Sequence, residues 1–289
     1  MGVIDSKRYM AVHLKGKKQP LFWVQAGLEQ AKVLQELDRE QPVYCLYRLK
    51  PDPNERSLRF EEIAAYHIET MRALSPQGPY ALAGYCVCAT IVFEMASQLR
   101  NQGETVSALI LIDPLDASVT RAELIQEPVL FRLGFHFNRV LFHLQRIKDY
   151  SARDKLAYCV RSARGIKARL ESNRAGRSRD AGSGRTRALP QHVLLDVHDS
   201  DMYAIHQYVP KPYGGSAILL RPSVSSPRVY DYPNRRWAQL VRGGLHIHKV
   251  PGDSDSMWLM PDAGGMAKAI DSCLAQIQGV LTARCSYNS

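Results

Sequence analysis

The sequence has no apolar run approaching the ~20 residues that a membrane span requires. It also lacks the apolar core and small-residue cleavage site of a secretory leader, because residues 1–18 are polar and basic. A cytoplasmic protein with no membrane partner is the expectation. Its six cysteines (Cys45, Cys86, Cys88, Cys159, Cys273, Cys285) are scattered without paired metal-ligand spacing, which argues against a bound metal and for reduced thiols. Internal repeats and heptad runs are absent, so solenoids and coiled coils are set aside. Acidic residues are scarce as well: 28 Asp and Glu against 38 Lys and Arg leave a formal charge of +10. Such a surface favours an acidic partner.

The charge is concentrated between Arg161 and Arg187, where nine basic residues face two acids. Beyond Ser172 that segment has almost nothing to bury, so a flexible basic loop is expected near 172–188. No aromatic platform accompanies it, and nucleic acid is not an expected partner.

What is present is an alternation of short apolar, β-branched or aromatic runs with longer segments of helical period, the pattern of a largely parallel, doubly wound α/β sheet. Strands are expected at 20–24, 42–47, 80–83 and 106–112, with helices at 58–74 and 87–101. From 117 to 209 the alternation gives way to helical patterns, including 129–150, 154–170 and 191–208. Strands return at 216–220 and 245–250, and a helix closes the chain from about 263 to 281. The core is thus expected to comprise 1–116 and 210–289, split by an inserted helical lid at 117–209. Lid residues such as Leu130, Phe131 and Phe135 suit helix packing or the lining of an acyl channel.

Gly84, Tyr85, Cys86, Val87 and Cys88 lie between a strand and a helix, where a G-x-S-x-G nucleophile elbow would stand. Such a turn places its central residue at a helix N-terminus, where the dipole and unpaired N–H groups favour a thiolate. A pair of structural core cysteines is the plainer alternative. Cys88 departs from the pattern, since glycine is usual there. Asp113 follows the apolar strand 106–112, at the end of a strand where open α/β sheets place their sites; a turn residue before Pro114 is the other reading.

These pieces, in this order, resemble the type I thioesterase domains of nonribosomal peptide and polyketide synthases. The resemblance rests on 20–24, on 78–86 with 92–99, on 108–113, on 208–214, and on 250–253 with Ser256 and Met257. It implies an α/β-hydrolase fold, Cys86 as nucleophile, Asp113 as orienting acid, and an oxyanion hole from the N–H of Val87 and an N–H of the Gln25, Ala26, Gly27 turn, with Ala26 as the candidate. It also implies a carrier-protein partner, acyl or peptidyl, whose phosphopantetheine arm presents the substrate, and no tightly bound cofactor. Release would follow transfer to water or to an alcohol or amine acceptor.

The resemblance places the catalytic histidine at residue 254, where this chain has Ser254. Serine cannot serve as a general base near neutral pH. A thiol, with an ordinary pKa of ~8.5 that falls at helix N-termini, can ionise and attack a thioester without that base. The expectation is acylation without efficient release. An engineered change, a natural variant with another base, and a naturally disabled domain are three origins compatible with Ser254. His246, His248 and His206 are the remaining histidines considered as bases. Two other classes stay open: a non-catalytic acyl-binding or scaffolding domain, and a polyanion-binding module acting through the basic loop. Within the enzymes, another α/β-hydrolase esterase or acyltransferase is the alternative.

Overall fold

A computed structural model describes residues 8–27, 30–48, 59–114, 204–205, 208–224, 233–254, 256–259 and 262–287. The helices expected at 129–150 and 154–170, most of that at 191–208, the basic loop and His206 lie outside them. The described elements are β1 (Tyr9–Val12), β2 (Leu21–Val24), α1 (Ala31–Glu36), β3 (Val43–Leu46), α2 (Phe60–Leu74), β4 (Tyr80–Tyr85), α3 (Val87–Asn101), β5 (Val106–Ile112), β6 (Ala217–Pro222), α4 (Pro233–Leu240), β7 (Leu245–Val250), a 3-10 turn (Ser256–Trp258) and α5 (Asp262–Tyr287).

The seven strands form one sheet in the order β1-β3-β2-β4-β5-β6-β7. Only β1 runs antiparallel, pairing with β3. From β2 the chain steps outward to β3 and then crosses back to β4 on the other side of β2. That reversal of direction is a topological switch point, and open α/β sheets place their sites at the strand carboxyl ends there.

The strands β2, β4 and β5 are apolar on both faces because helices cover both. On one face, Phe22, Leu82, Leu109, Leu111 and Leu219 pack with the buried sides of α2 and α3. On the other, Trp23, Ala83, Ile110, Ile112 and Leu220 pack with α1 and α5. The central helix α3 buries ten of its fifteen residues, among them Ile91, Phe93 and Met95. Its apolar residues therefore extend beyond a single stripe, as a helix enclosed by sheet and neighbours requires.

Ala204, Ile205 and Tyr208, from the segment read as lid, are buried in the α2–α3 layer. Tyr208 stacks on Phe60 with centroids 4.5 Å apart and donates to the Glu94 carboxylate. The chain is thus anchored to the core before Val209. Among the described residues no helix is long and apolar enough to cross a membrane.

Candidate active site

Three residues that leave parallel strands have left-handed backbones although none is glycine: Gln25 after β2 (φ 52°), Cys86 after β4 (φ 57°) and Asp113 after β5 (φ 41°). Each such residue costs on the order of 1–3 kcal/mol and persists only when its surroundings fix it. The fixing bonds are extensions of the sheet by one residue. Gln25 N–H donates to the Leu46 carbonyl at 2.8 Å, Cys86 N–H to Ile112 at 3.0 Å, and Asp113 N–H to Leu220 at 2.9 Å. The chain therefore stays in the ladder for one step past each strand and then turns sharply.

At Cys86 this produces an elbow. Its φ of 57° and ψ of −120° turn β4 directly into α3, with Cys86 as the N-cap residue. Its side chain is partly exposed, whereas Cys45, Cys88 and Cys273 are buried thiols. Burial pushes Cys45 up to about 12 and Cys273 up to about 11, so neither ionises near neutral pH. A Cβ at Gly84 would lie 2.4 Å from the Cys88 carbonyl oxygen and 2.6 Å from its carbonyl carbon, so the strand and helix approach too closely there for a side chain. The departure at position 88 is explained by the same geometry. The tight approach involves the backbone of Cys88, while its side chain packs into the α2–α3 layer.

Asp113 is 1% exposed. One carboxylate oxygen accepts from Arg221 Nη1 at 2.8 Å, and the other accepts from Ser254 Oγ at 2.7 Å. Ser254 is also buried, and its carbonyl accepts from the Tyr85 hydroxyl at 3.0 Å. Residue 254 is therefore tied to the acid through its side chain and to the residue preceding Cys86 through its backbone.

The loop that carries Ser254 is built locally. Gly252 sits at φ 83°, and a Cβ there would meet Asp262 Oδ2 at 2.5 Å and Ser256 Oγ at 2.6 Å. Asp253 and Ser256 cap one another: Asp253 N–H donates to Ser256 Oγ at 2.8 Å, and Ser256 N–H donates to Asp253 Oδ1 at 2.9 Å. Trp258 then seats the loop against the core, edge-on to Tyr85 at 4.8 Å and to Trp23 at 6.3 Å between ring centroids.

In the turn after β2 the amides can be sorted. Gln25 N–H is committed to Leu46, and Gly27 N–H donates to Gln30 Oε1 at 2.6 Å. The Ala26 carbonyl accepts from the Tyr47 hydroxyl at 3.0 Å. These bonds leave Ala26 as the turn residue whose N–H they do not use. Val87, the first residue of α3, lies immediately after Cys86 and has no i−4 partner inside its helix.

The structure thus brings Asp113 and Ser254 into contact and sets Cys86 beside Asp113 across adjacent strand ends. His246 and His248 lie back along β7, in register with Ile218 and Leu220. Among the described residues no cluster of His, Cys, Asp or Glu is arranged to hold a metal. Sequence reasoning missed Arg221 and Tyr85. Arg221 directly follows the strand expected at 216–220, and the strand-end rule that found Asp113 was the signal that could have found it.

Residues 19–257 match the Thioesterase domain family. The chain is similar to the non-reducing polyketide synthase crz7 of Cladonia metacorallifera, 45% identical over 73 residues, covering 25% of this chain and 4% of that protein. It is also similar to the dimodular nonribosomal peptide synthase of Bacillus subtilis strain 168, 34% identical over 114 residues, covering 36% of this chain and 5% of that protein. It therefore spans only a small fraction of the length of these curated relatives. Among solved structures, it resembles a covalent complex of the NocB thioesterase domain with a fluorophosphonate nocardicin G analogue. That likeness has TM-score 0.61 and 20% identity over 92% of this chain and 99% of the other. It also resembles the surfactin-cyclising thioesterase domain SrfTE, with TM-score 0.54 and 14% identity over 91% and 94%. These structural likenesses are of fold, and the fold is that of the α/β-hydrolases. The chain belongs to the thioesterase domain family.

Proposed function

We propose that this chain is a chain-releasing thioesterase domain of polyketide or nonribosomal peptide assembly, with Cys86 as nucleophile. The observation that carries this reading is the Cys86 elbow: a strained, partly exposed thiol at the N-terminus of α3, one strand away from a buried aspartate. Family membership supports the reaction class, and the synthases it resembles support a carrier protein, acyl or peptidyl, as partner.

In the proposed reaction, the Cys86 thiolate attacks the carbonyl carbon of an acyl thioester on a phosphopantetheine arm. The N–H groups of Val87 and Ala26 stabilise the developing oxyanion. Collapse breaks the bond to the pantetheine sulfur, which leaves as a thiolate and takes a proton from solvent, and the acyl group remains on Cys86. Release then requires an acceptor, either water or a hydroxyl or amine, and the acceptor must lose a proton. In this chain residue 254 gives that step a neutral serine. Acylation proceeds and release stalls.

The hydrogen bond between Ser254 and Asp113 favours one refinement. Residue 254 occupies a seat held against the orienting acid, and the seat contains a side chain without basicity. The acyl-enzyme is accordingly long-lived, and holding an acyl group is a second role the same geometry supports. The core, with Ala204, Ile205 and Tyr208 packed in it, is proposed to supply the chemistry, and the rest of the segment 117–209 is proposed as the lid.

Replacing the nucleophile tests the assignment. Cys86→Ala is expected to abolish covalent capture of a carrier-bound acyl group. Cys86→Ser is expected to reduce acylation by orders of magnitude and to change the ratio of hydrolysed to transferred product, because an oxygen ester is a poorer acyl donor than a thioester. Capture persisting in Cys86→Ala would remove the reading.

A further inference from the structure

We infer that Arg221 is a positioning residue that compensates the charge of Asp113, so that Cys86 can ionise beside a buried carboxylate in a chain with no imidazole at position 254. The inference rests on Cys86 being the nucleophile, as proposed above.

Residues 86 and 113 are neighbours by construction of the sheet. Tyr85 and Ile112 are register partners, and Cys86 N–H donates to the Ile112 carbonyl. Adjacent strands lie ~4.8 Å apart, so residues 86 and 113 leave neighbouring strand ends side by side. Like charges on neighbouring strand ends repel one another, which disfavours a thiolate beside a carboxylate. A protonated histidine between them would cancel this repulsion, but Ser254 is neutral.

Arg221 supplies a cation instead. Its guanidinium reaches Asp113 Oδ1 at 2.8 Å, with side-chain exposures of 15% for Arg221 and 2% for Asp113. The same strand end holds Asp113 by its backbone, because the carbonyl accepting Asp113 N–H belongs to Leu220. Arg221 thus sets which carboxylate oxygen faces residue 254 and offsets the charge that Cys86 meets.

Other ionisable groups lie near this end of the sheet among the described residues. Tyr85 donates its hydroxyl to the Ser254 carbonyl, and the Asp253 carboxylate accepts from Ser256 N–H. Cys88, on α3, is buried. Lys249 is exposed on β7, and His246 and His248 lie along that strand. Arg48 follows β3, two strands from β4.

The test is the pH dependence of Cys86 alkylation by iodoacetamide, read site by site by mass spectrometry with Cys86→Ala as the blank. Arg221→Met is expected to raise the midpoint by about one pH unit, slowing alkylation close to tenfold below it. Asp113→Asn is expected to lower the midpoint by a similar amount, since Arg221 then acts unopposed. The double variant is expected to return near the parent, and Arg221→Lys to shift less than Arg221→Met. A purely structural role for Arg221 moves stability and leaves the midpoints in place. Unmoved midpoints, or shifts of the same sign in both single variants, would overturn the inference. Should Arg221→Met fail to fold, Asp113→Asn alone decides, because an unmoved midpoint there refutes the electrostatic argument. Acylation of Cys86 by a carrier thioester together with unmoved midpoints removes Arg221's role only; a Cys86 inert to both reagents removes the nucleophile assignment as well.

Discussion

Gly84→Ala probes whether the elbow depends on the close approach of β4 and α3. The added methyl would stand 2.4 Å from the Cys88 oxygen, 2.6 Å from its carbonyl carbon and 2.9 Å from Ala89 N. These are backbone atoms on a helix packed on the sheet, so no rotamer change relieves the overlap. Ordinary contact needs about 1 Å more, and α3 must retreat by about that amount along a face that includes Val92 and Met95. Overpacking of this kind costs ~1–3 kcal/mol, and the upper end is expected because backbone must move. For a domain of this size that corresponds to a fall in Tm of roughly 6–12 °C. Moving the helix N-terminus also moves the elbow, so Cys86 alkylation should slow in parallel. Gly264→Ala is the control: that glycine lies in α5, nothing falls within 4 Å of its added Cβ, and a stability gain of ~0.5–1 kcal/mol is expected. Thermal denaturation and alkylation rates check both variants. A Gly84→Ala protein with parental Tm and parental Cys86 reactivity would refute the reasoning.

Further outcomes follow from the same packing and charge. His67 is fully buried on α2; desolvation, with Arg48 nearby, pushes its imidazole down to about 3. The folded state therefore keeps His67 neutral while the unfolded chain takes a proton below ~6.5, so its contribution to stability is whole above that pH and is lost as pH falls towards 3. Urea denaturation of His67→Leu should show a shallower loss over that window than the parent; equal slopes would contradict the account. Phe93 is fully buried and meets Trp237 edge-on at 5.0 Å, so Phe93→Ala should cost ~3–5 kcal/mol by denaturation. Tyr85→Phe keeps the ring against Trp258 and removes the tie to the Ser254 carbonyl. It should cost ~1 kcal/mol in stability and, combined with Ser254→His, lower the release rate more than the acylation rate. Acylation by a carrier thioester should slow as salt rises if the +10 charge steers encounter, and a rate indifferent to ionic strength would argue against steering.

The parts most legible in the sequence were those whose burial is two-sided. The strand 106–112 and the helix 87–101 stand where they were expected, because an apolar strand and a helix enclosed on several sides leave little choice of period. The missed elements are those that bury little. β1 is a four-residue edge strand, and none of its residues is fully buried. The six-residue helix α1 buries only Val33 and Leu34. In the eight-residue helix α4, Trp237 is the anchor in the α2–α3 layer. At the site, the elbow and Asp113 were readable because they end apolar runs at a strand–helix junction and a strand terminus. Arg221 also stands at a strand end, but a charged residue one step beyond an expected strand looks like a solvated boundary, so that signal alone did not single it out. Its role depends on β6 pairing beside β5, a contact between residues more than a hundred positions apart. That this chain has Ser254 where the resemblance expects a histidine was readable from the sequence. That Ser254 would nonetheless engage Asp113 required the structure.

The central claim, a cysteine acyl-enzyme formed where serine holds the proposed base position, is tested most directly by intact-mass time courses. The protein and its Ser254→His variant are each incubated with an acyl group loaded on a carrier-protein phosphopantetheine, and free product is followed in parallel. The account predicts one acyl group accumulating on Cys86 in the parent with little release, and turnover with little accumulation in Ser254→His. Absence of acyl transfer to Cys86 in both proteins would contradict it.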